Sequence, residues 1–254
     1  MKRISIVIAR YQEDVNWIKD VVDLLKANYE CEVAVYIYNK GKDALDQSID
    51  CTLTQLPNVG RESHSYLYHI IDQYDQVDDN DHYVLFLQGR LKDHIQLHNQ
   101  RDEGNLVLSF LKDAESHGGA NITTAQKHEY VGGNTAHWFF RIASHNGKHL
   151  YPRAKSCFGE WFSSNVDQKG FRTKFDKLPW WISGLFCVTW KLLKQHQKEY
   201  YEYLIDYLRD IDPEVGHYFE RSWVYITNAH TLLAQEVDTA SMRLIAKSRN
   251  GSIL

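Results

Sequence analysis

The run Ile4-Ser5-Ile6-Val7-Ile8-Ala9 constrains the fold more than any other stretch of the chain. A β-branched run with so little polar alternation reads as a strand covered on both faces, the habit of parallel sheets sandwiched between helices. Val15 to Asn28 then places Ile18, Val21, Val22 and Leu25 at helical spacing. Glu32 to Tyr38 reads as a second strand. Ser48 to Leu56 holds a short third, Arg61 to Tyr74 a helix, and Tyr83 to Leu87 the next buried strand. This alternation spells βαβ units, so the expected class is α/β, with a mostly parallel central sheet flanked by helices.

From about residue 91 to 178 the pattern changes. Asn105 to Ser116 is a helix, and the rest is Gly, His, Asn and Lys between short apolar bursts. A loop-rich insertion on a rigid sheet usually carries ligand specificity. Trp180 to Trp190 reads as a buried segment and Leu192 to Arg209 as a Tyr-rich helix. Pro213 to Thr227 reads as a turn and a further helix. One domain is expected over residues 1–237. Asp238 to Leu254, polar with Arg243, Lys247 and Arg249, reads as a tail or lid.

Composition removes several classes of function. A net charge of -4 gives no bulk attraction to nucleic acid or to anionic membranes. No apolar stretch is long enough to form a transmembrane segment. The N-terminus starts basic, but its apolar run is short, so it reads as a first strand and not a signal peptide. Cys31, Cys51, Cys157 and Cys187 are dispersed with no CxxC pair, the pattern of reduced thiols in a cytoplasmic protein. Seven Trp and 16 Tyr exceed what a core alone needs, and flat rings with a polar edge suit sugars and bases.

The polar residues gather where strands end. Asn58-Val59-Gly60 is a turn into a helix on which Arg61, His64, Tyr68 and Asp72 share one face. A helix N-terminus with an arginine fork suits a phosphate, and a capped, solvated face is the alternative. Tyr83 to Leu87 stops at Gln88-Gly89-Arg90, where glycine lets a ligand approach the backbone. Asp93, His94 and His98 follow, and two histidines four apart can hold a metal on one helical turn. A polar loop with two surface histidines is the other reading. Arg10, Glu13 and Asp14 leave the first strand, Asn39 and Lys40 the second, all toward one crevice if the strands run parallel. Glu220-Arg221 is either a surface ion pair or a general base beside a cation. Trp180 and Trp181 precede the turn at Gly184, as core or as a sugar-stacking surface.

Taken together, Ala9 through Asp14, Tyr38 through Gly41, Leu56 through Ile71, Phe86 through Gly89, Trp181 through Val188 and Glu220 through Trp223 carry a resemblance. The chain resembles an uncharacterised family of bacterial, fungal and viral proteins, a domain of unknown function related to GT-A glycosyltransferases. The resemblance implies a GT-A-like single domain, with a donor side over about 1–100 and an acceptor side over about 101–237. It implies a nucleotide-sugar donor and a glycan or glycolipid acceptor. Arg10, Tyr11, Glu13, Asn39, Lys40, Asn58, Gly60, Arg61, His64, Tyr68, Gln88, Gly89 and Arg90 would meet the donor. Trp181, Gly184, Arg221 and Trp223 would lie on the acceptor side, and Glu220 would be the base of an inverting transfer. The chain departs from the wider pattern at one place. The Asp-x-Asp that holds Mg²⁺ or Mn²⁺ in such enzymes is replaced by Gln88-Gly89-Arg90. Hard cations want carboxylates. Three outcomes follow: diphosphate neutralised by Arg61, Arg90 or Lys40 without a metal; a metal held elsewhere, as by Asp93 or His94; or activity lost, leaving a nucleotide- or glycan-binding module.

Overall fold

In a computed structural model, strand β1 (Lys2–Arg10) sits inside the main sheet. The structure describes residues 1–43, 45, 48–78, 81–92, 102–117, 119–121, 139–145, 147–167 and 184–229. β1 pairs in parallel with β2 (Cys31–Asn39) on one side and β4 (His82–Gln88) on the other. β3 (Thr52–Gln55) extends the sheet beyond β2, also in parallel. β8 (Phe186–Thr189) runs antiparallel to β4, and β5 (Gly119–Asn121) runs antiparallel to β8. The order is β3-β2-β1-β4-β8-β5, so the sheet is mostly parallel, as expected from the sequence.

Alternation along β1 builds two cores. Ile4, Ile6 and Ile8 face α1 (Trp17–Asn28) and α3 (Glu103–His117), packing with Ile18, Val21, Leu25, Leu106 and Phe110. Val7 faces the opposite layer with Tyr38, Phe86 and Phe186. That layer holds α2 (Arg61–Gln73), α4 (Phe158–Asn165), α5 (Trp190–Leu193), α6 (Lys198–Ile205) and α7 (Glu214–Ile226). Each fully buried aliphatic side chain contributes about 1.5–3 kcal/mol. The aromatic excess sits largely in the second core, where Trp223 lies 5.0 Å from Phe186 and 5.8 Å from Tyr66, ring centre to ring centre.

Two expected elements differ. The single helix expected from Leu192 to Arg209 is α5, a break, α6 and a short 3-10 turn at Asp206–Leu208. Tyr74 at the end of α2 fixes the break, donating its hydroxyl proton to the carbonyl of His196 at 2.6 Å. The second lies in the insertion, whose described residues include regular elements besides the expected helix. These are β5 at the sheet edge, a β6–β7 hairpin (Ser144–His145 and Lys148–His149) and α4.

Candidate functional site

Parallel pairing brings the carboxyl ends of β1, β2 and β4 together, with Arg10 opposite Asn39 and Ala9 opposite Gln88. Arg10 is buried and braces the loops. Its Nη1 donates to Asn39 Oδ1 at 2.6 Å and its Nε to the carbonyl of Glu13 at 2.9 Å. Asn39 passes the network on to the carbonyl of Gly41 and to Gln55, both at 3.0 Å. Glu13 accepts the backbone N–H groups of Tyr11 (2.6 Å) and Gln12 (3.1 Å) through one oxygen. A Cβ on Gly89 would stand 2.9 Å from that same oxygen, so the glycine leaves room for the carboxylate.

The turn into α2 is conformationally unusual. Gly60 has φ 61° and Arg61 has φ 52°, two left-handed residues in succession. Glycine takes this region freely, but an arginine does so at a cost of about 1–2 kcal/mol. A side chain on Gly60 would also meet Leu208 Cβ and the Leu208 carbonyl at 2.5 Å. The turn is held by Gly60 N–H donating to the carbonyl of Asp210 at 2.7 Å, and by Lys40 Nζ donating to the carbonyls of Val59 (2.5 Å) and Arg61. Burial pushes the Lys40 ammonium down to about 7, against the pull of the Glu62 carboxylate.

Beyond the turn, Arg61 meets α7. Its Nη1 lies 2.6 Å from His217 Nε2 and 4.0 Å from an Asp212 oxygen, and its Nε lies 3.7 Å from Glu62. Gly216 lets the chain lie flat, since a Cβ there would stand 3.2 Å from Arg61 Cδ. His217 Nδ1 is 3.8 Å from Glu220, whose side chain is 28% exposed. Desolvation raises the Glu220 pKa, but His217, Arg221 and Arg61 outweigh it and hold the carboxyl below its ordinary range. His145 packs edge-on against His217 at 4.9 Å. Burial, with Arg61 and His217 nearby, pushes its pKa down. Gly184 lies against Glu62, and Arg221 stacks its guanidinium over Phe140 at 3.8 Å.

The structure therefore brings together Arg61, Gly184, Glu220 and Arg221, and gathers Arg10, Tyr11, Glu13, Asn39 and Lys40 at the adjoining strand ends. Asn58 and Arg90 are exposed and Gln88 half-buried nearby. His64 does not share an open face with Arg61. It is buried, and burial and Lys40 push its pKa down to about 4, so its imidazole is neutral. Tyr68 is half-buried with its ring edge-on to Tyr38 at 5.5 Å. Trp223 is fully buried among aromatic rings, with no face open to an acceptor. Trp181, Asp93, His94, His98 and the segment 238–254 lie outside the described residues.

The sequence reading gave no role to His217, Asp212, Glu62 or His145. One signal was available for His217, because it precedes Glu220 by three positions, which puts both on one face of a helix. Also missed was Glu214, a fully buried carboxylate at the start of α7. It pairs with Arg141 and Arg153, at 3.0 and 3.1 Å, and takes the N–H groups of Ile142 and Ala154. Desolvation raises its pKa, but these donors outweigh it and hold the carboxyl low.

A divalent cation finds little to bind at the end of β4. Gln88 and Gly89 offer no carboxylate, and Glu13, the acid next to them, is engaged by two amides. Among the described residues no three His, Cys, Asp or Glu side chains group into a metal cluster. The residues at this position do not fit the metal.

Fold and site together define a mixed α/β protein with charged and polar side chains gathered at the carboxyl ends of a mostly parallel sheet. The chain belongs to the family described as "Protein of unknown function (DUF3431)", whose model matches residues 6–242. No curated protein and no solved structure matches it. No helix among the described residues is long and apolar enough to cross a membrane.

Proposed function

We propose that the crevice binds the diphosphate of a nucleotide-sugar donor and transfers the sugar to a hydroxyl of a glycan-type acceptor without a metal ion. The observation that carries this reading is that Arg61 and Glu220 both meet His217, Arg61 Nη1 at 2.6 Å from Nε2 and Glu220 at 3.8 Å from Nδ1. Arg61 stands at the N-terminus of α2, where free amides and the helix dipole favour an anion. Its guanidinium suits the charge that develops on a departing diphosphate. Glu220 is held ionised while a quarter or so of its side chain reaches solvent, which suits a base that takes an acceptor proton. With base and leaving group on opposite sides of the sugar, the anomeric carbon inverts. Gly184 and Arg221 border the acceptor side of this arrangement.

A second reading has its own support. Gln88-Gly89-Arg90 withholds the acidic pair of metal-dependent enzymes, which fits a nucleotide- or glycan-binding module as well. Hydrolysis assays over a panel of nucleotide sugars, with and without EDTA, separate the two. The transferase reading expects turnover of at least one donor that survives EDTA. Binding of a donor with no turnover favours the module.

A further inference from the structure

We propose that Lys40 is a positioning residue: it holds the left-handed Gly60–Arg61 turn by its main-chain carbonyls and so sets where the Arg61 guanidinium lies. The inference rests on reading Arg61 as the anion-binding group of the crevice. The sequence suggested instead that Lys40 touches the donor. Its side chain is turned to a different use. Lys40 is only 8% exposed, and its ammonium is bonded to the carbonyls of Val59 and Arg61.

The geometry explains why a lysine serves there. The Lys40 backbone is fixed at the end of β2, where its N–H donates to the carbonyl of Arg10 at 2.8 Å. The ammonium then bridges from the rigid sheet to a turn of otherwise unfavourable backbone. Relaxing Arg61 to a right-handed φ would swing its carbonyl away from the ammonium, so the two bonds oppose that relaxation. Residues strained in this way persist only when their surroundings over-determine them, and they cluster at functional sites. What the strain secures is the path of the Arg61 side chain over Gly216 to His217 and Asp212. Two other charged or titratable groups face the ammonium, Glu62 and His64, both from α2.

The test uses inorganic pyrophosphate as the probe and calorimetry as the readout, on the full chain. Lys40→Met is expected to weaken pyrophosphate binding at least about tenfold although Arg61 is intact, the scale of coupling between contacting residues. Arg61→Met is expected to weaken it as much or more, and the double variant no further than Arg61→Met. A double variant weaker by the sum of the two overturns the proposal, because Lys40 then meets the anion itself. Unchanged affinity in Lys40→Met overturns it as well. Should that variant fail to fold, Lys40→Gln keeps one donor and carries the same comparison. Amide hydrogen exchange supplies an arm free of ligand. The Gly60 amide is expected to exchange faster in the Lys40 variants, and unchanged exchange contradicts the clamp. If the wild type does not bind pyrophosphate, the anion-binding reading of the crevice falls, and the exchange arm still decides the role of Lys40.

Discussion

Arg61 Nη1 lies 2.6 Å from Nε2 of His217, a residue 156 positions further along the chain. The contact joins the start of α2 to the first turns of α7, so the two halves of the candidate site meet at one imidazole. His217 also helps hold the Glu220 carboxyl low. Removing it therefore raises the Glu220 pKa. In a His217→Ala variant the acid limb of the pH–rate profile should move to higher pH, with donor affinity changed far less than turnover. An unmoved limb separates His217 from Glu220.

Glu214 offers a prediction on stability. Its carboxylate has no exposure and is met by two guanidinium groups and two amides. Breaking such a site from one side costs about 3–5 kcal/mol. Glu214→Ala should lose stability on that scale in urea melts at pH 7. The folded pKa is depressed, so this stability is fully present above the unfolded value of about 4.3 and is lost as pH falls through the folded value. The gap between wild type and variant should accordingly narrow in acid. A gap that stays constant down to pH 2 contradicts the assignment.

Lys40 has the same sign of pH dependence, in a higher window. Burial depresses its pKa to about 7, while an unfolded chain keeps lysine protonated to about 10.4. Between these values the unfolded state binds more protons, so the Lys40 contribution to stability rises with pH across that window. Nitrogen-detected NMR of the lysine side chains should find one midpoint near 7. Titration of every lysine above 10 would refute this.

The legible part of the protein is the part governed by local pattern. Ile4 to Ala9 and Tyr83 to Leu87 announce strands covered on both faces because almost no side chain in them is polar, while Glu32 to Tyr38 announces a strand through its Val, Ile and Tyr although its first half is open to solvent. Gly60 announces the turn because glycine takes a left-handed φ freely. What stayed hidden depends on distant partners. His64 has the spacing of a surface residue, but α2 is covered on two sides, so the helix carries buried polar positions that periodicity assigns to solvent. Trp223 looked like an acceptor-side ring because nothing local reveals that Phe86 and Phe186 surround it. Glu214 looked ordinary because its arginines arrive from an insertion whose composition reads as loop.

Trp223 tests that last distinction between core and surface. Its burial among aromatic rings predicts a loss of about 3–5 kcal/mol for Trp223→Ala. Trp223→Phe should cost less, with pyrophosphate binding retained. A stable Trp223→Ala variant with weakened acceptor binding would return the residue to the acceptor side.

The central claim is that Glu220 is the base of a metal-free transfer whose donor diphosphate is met by Arg61. Glu220→Gln tests it most directly, with donor binding by calorimetry and turnover of the same nucleotide sugar in EDTA, measured side by side. The account predicts donor affinity within about threefold of wild type and turnover lower by about 10²–10⁴, the usual contribution of general acid–base catalysis. Full turnover by Glu220→Gln contradicts it.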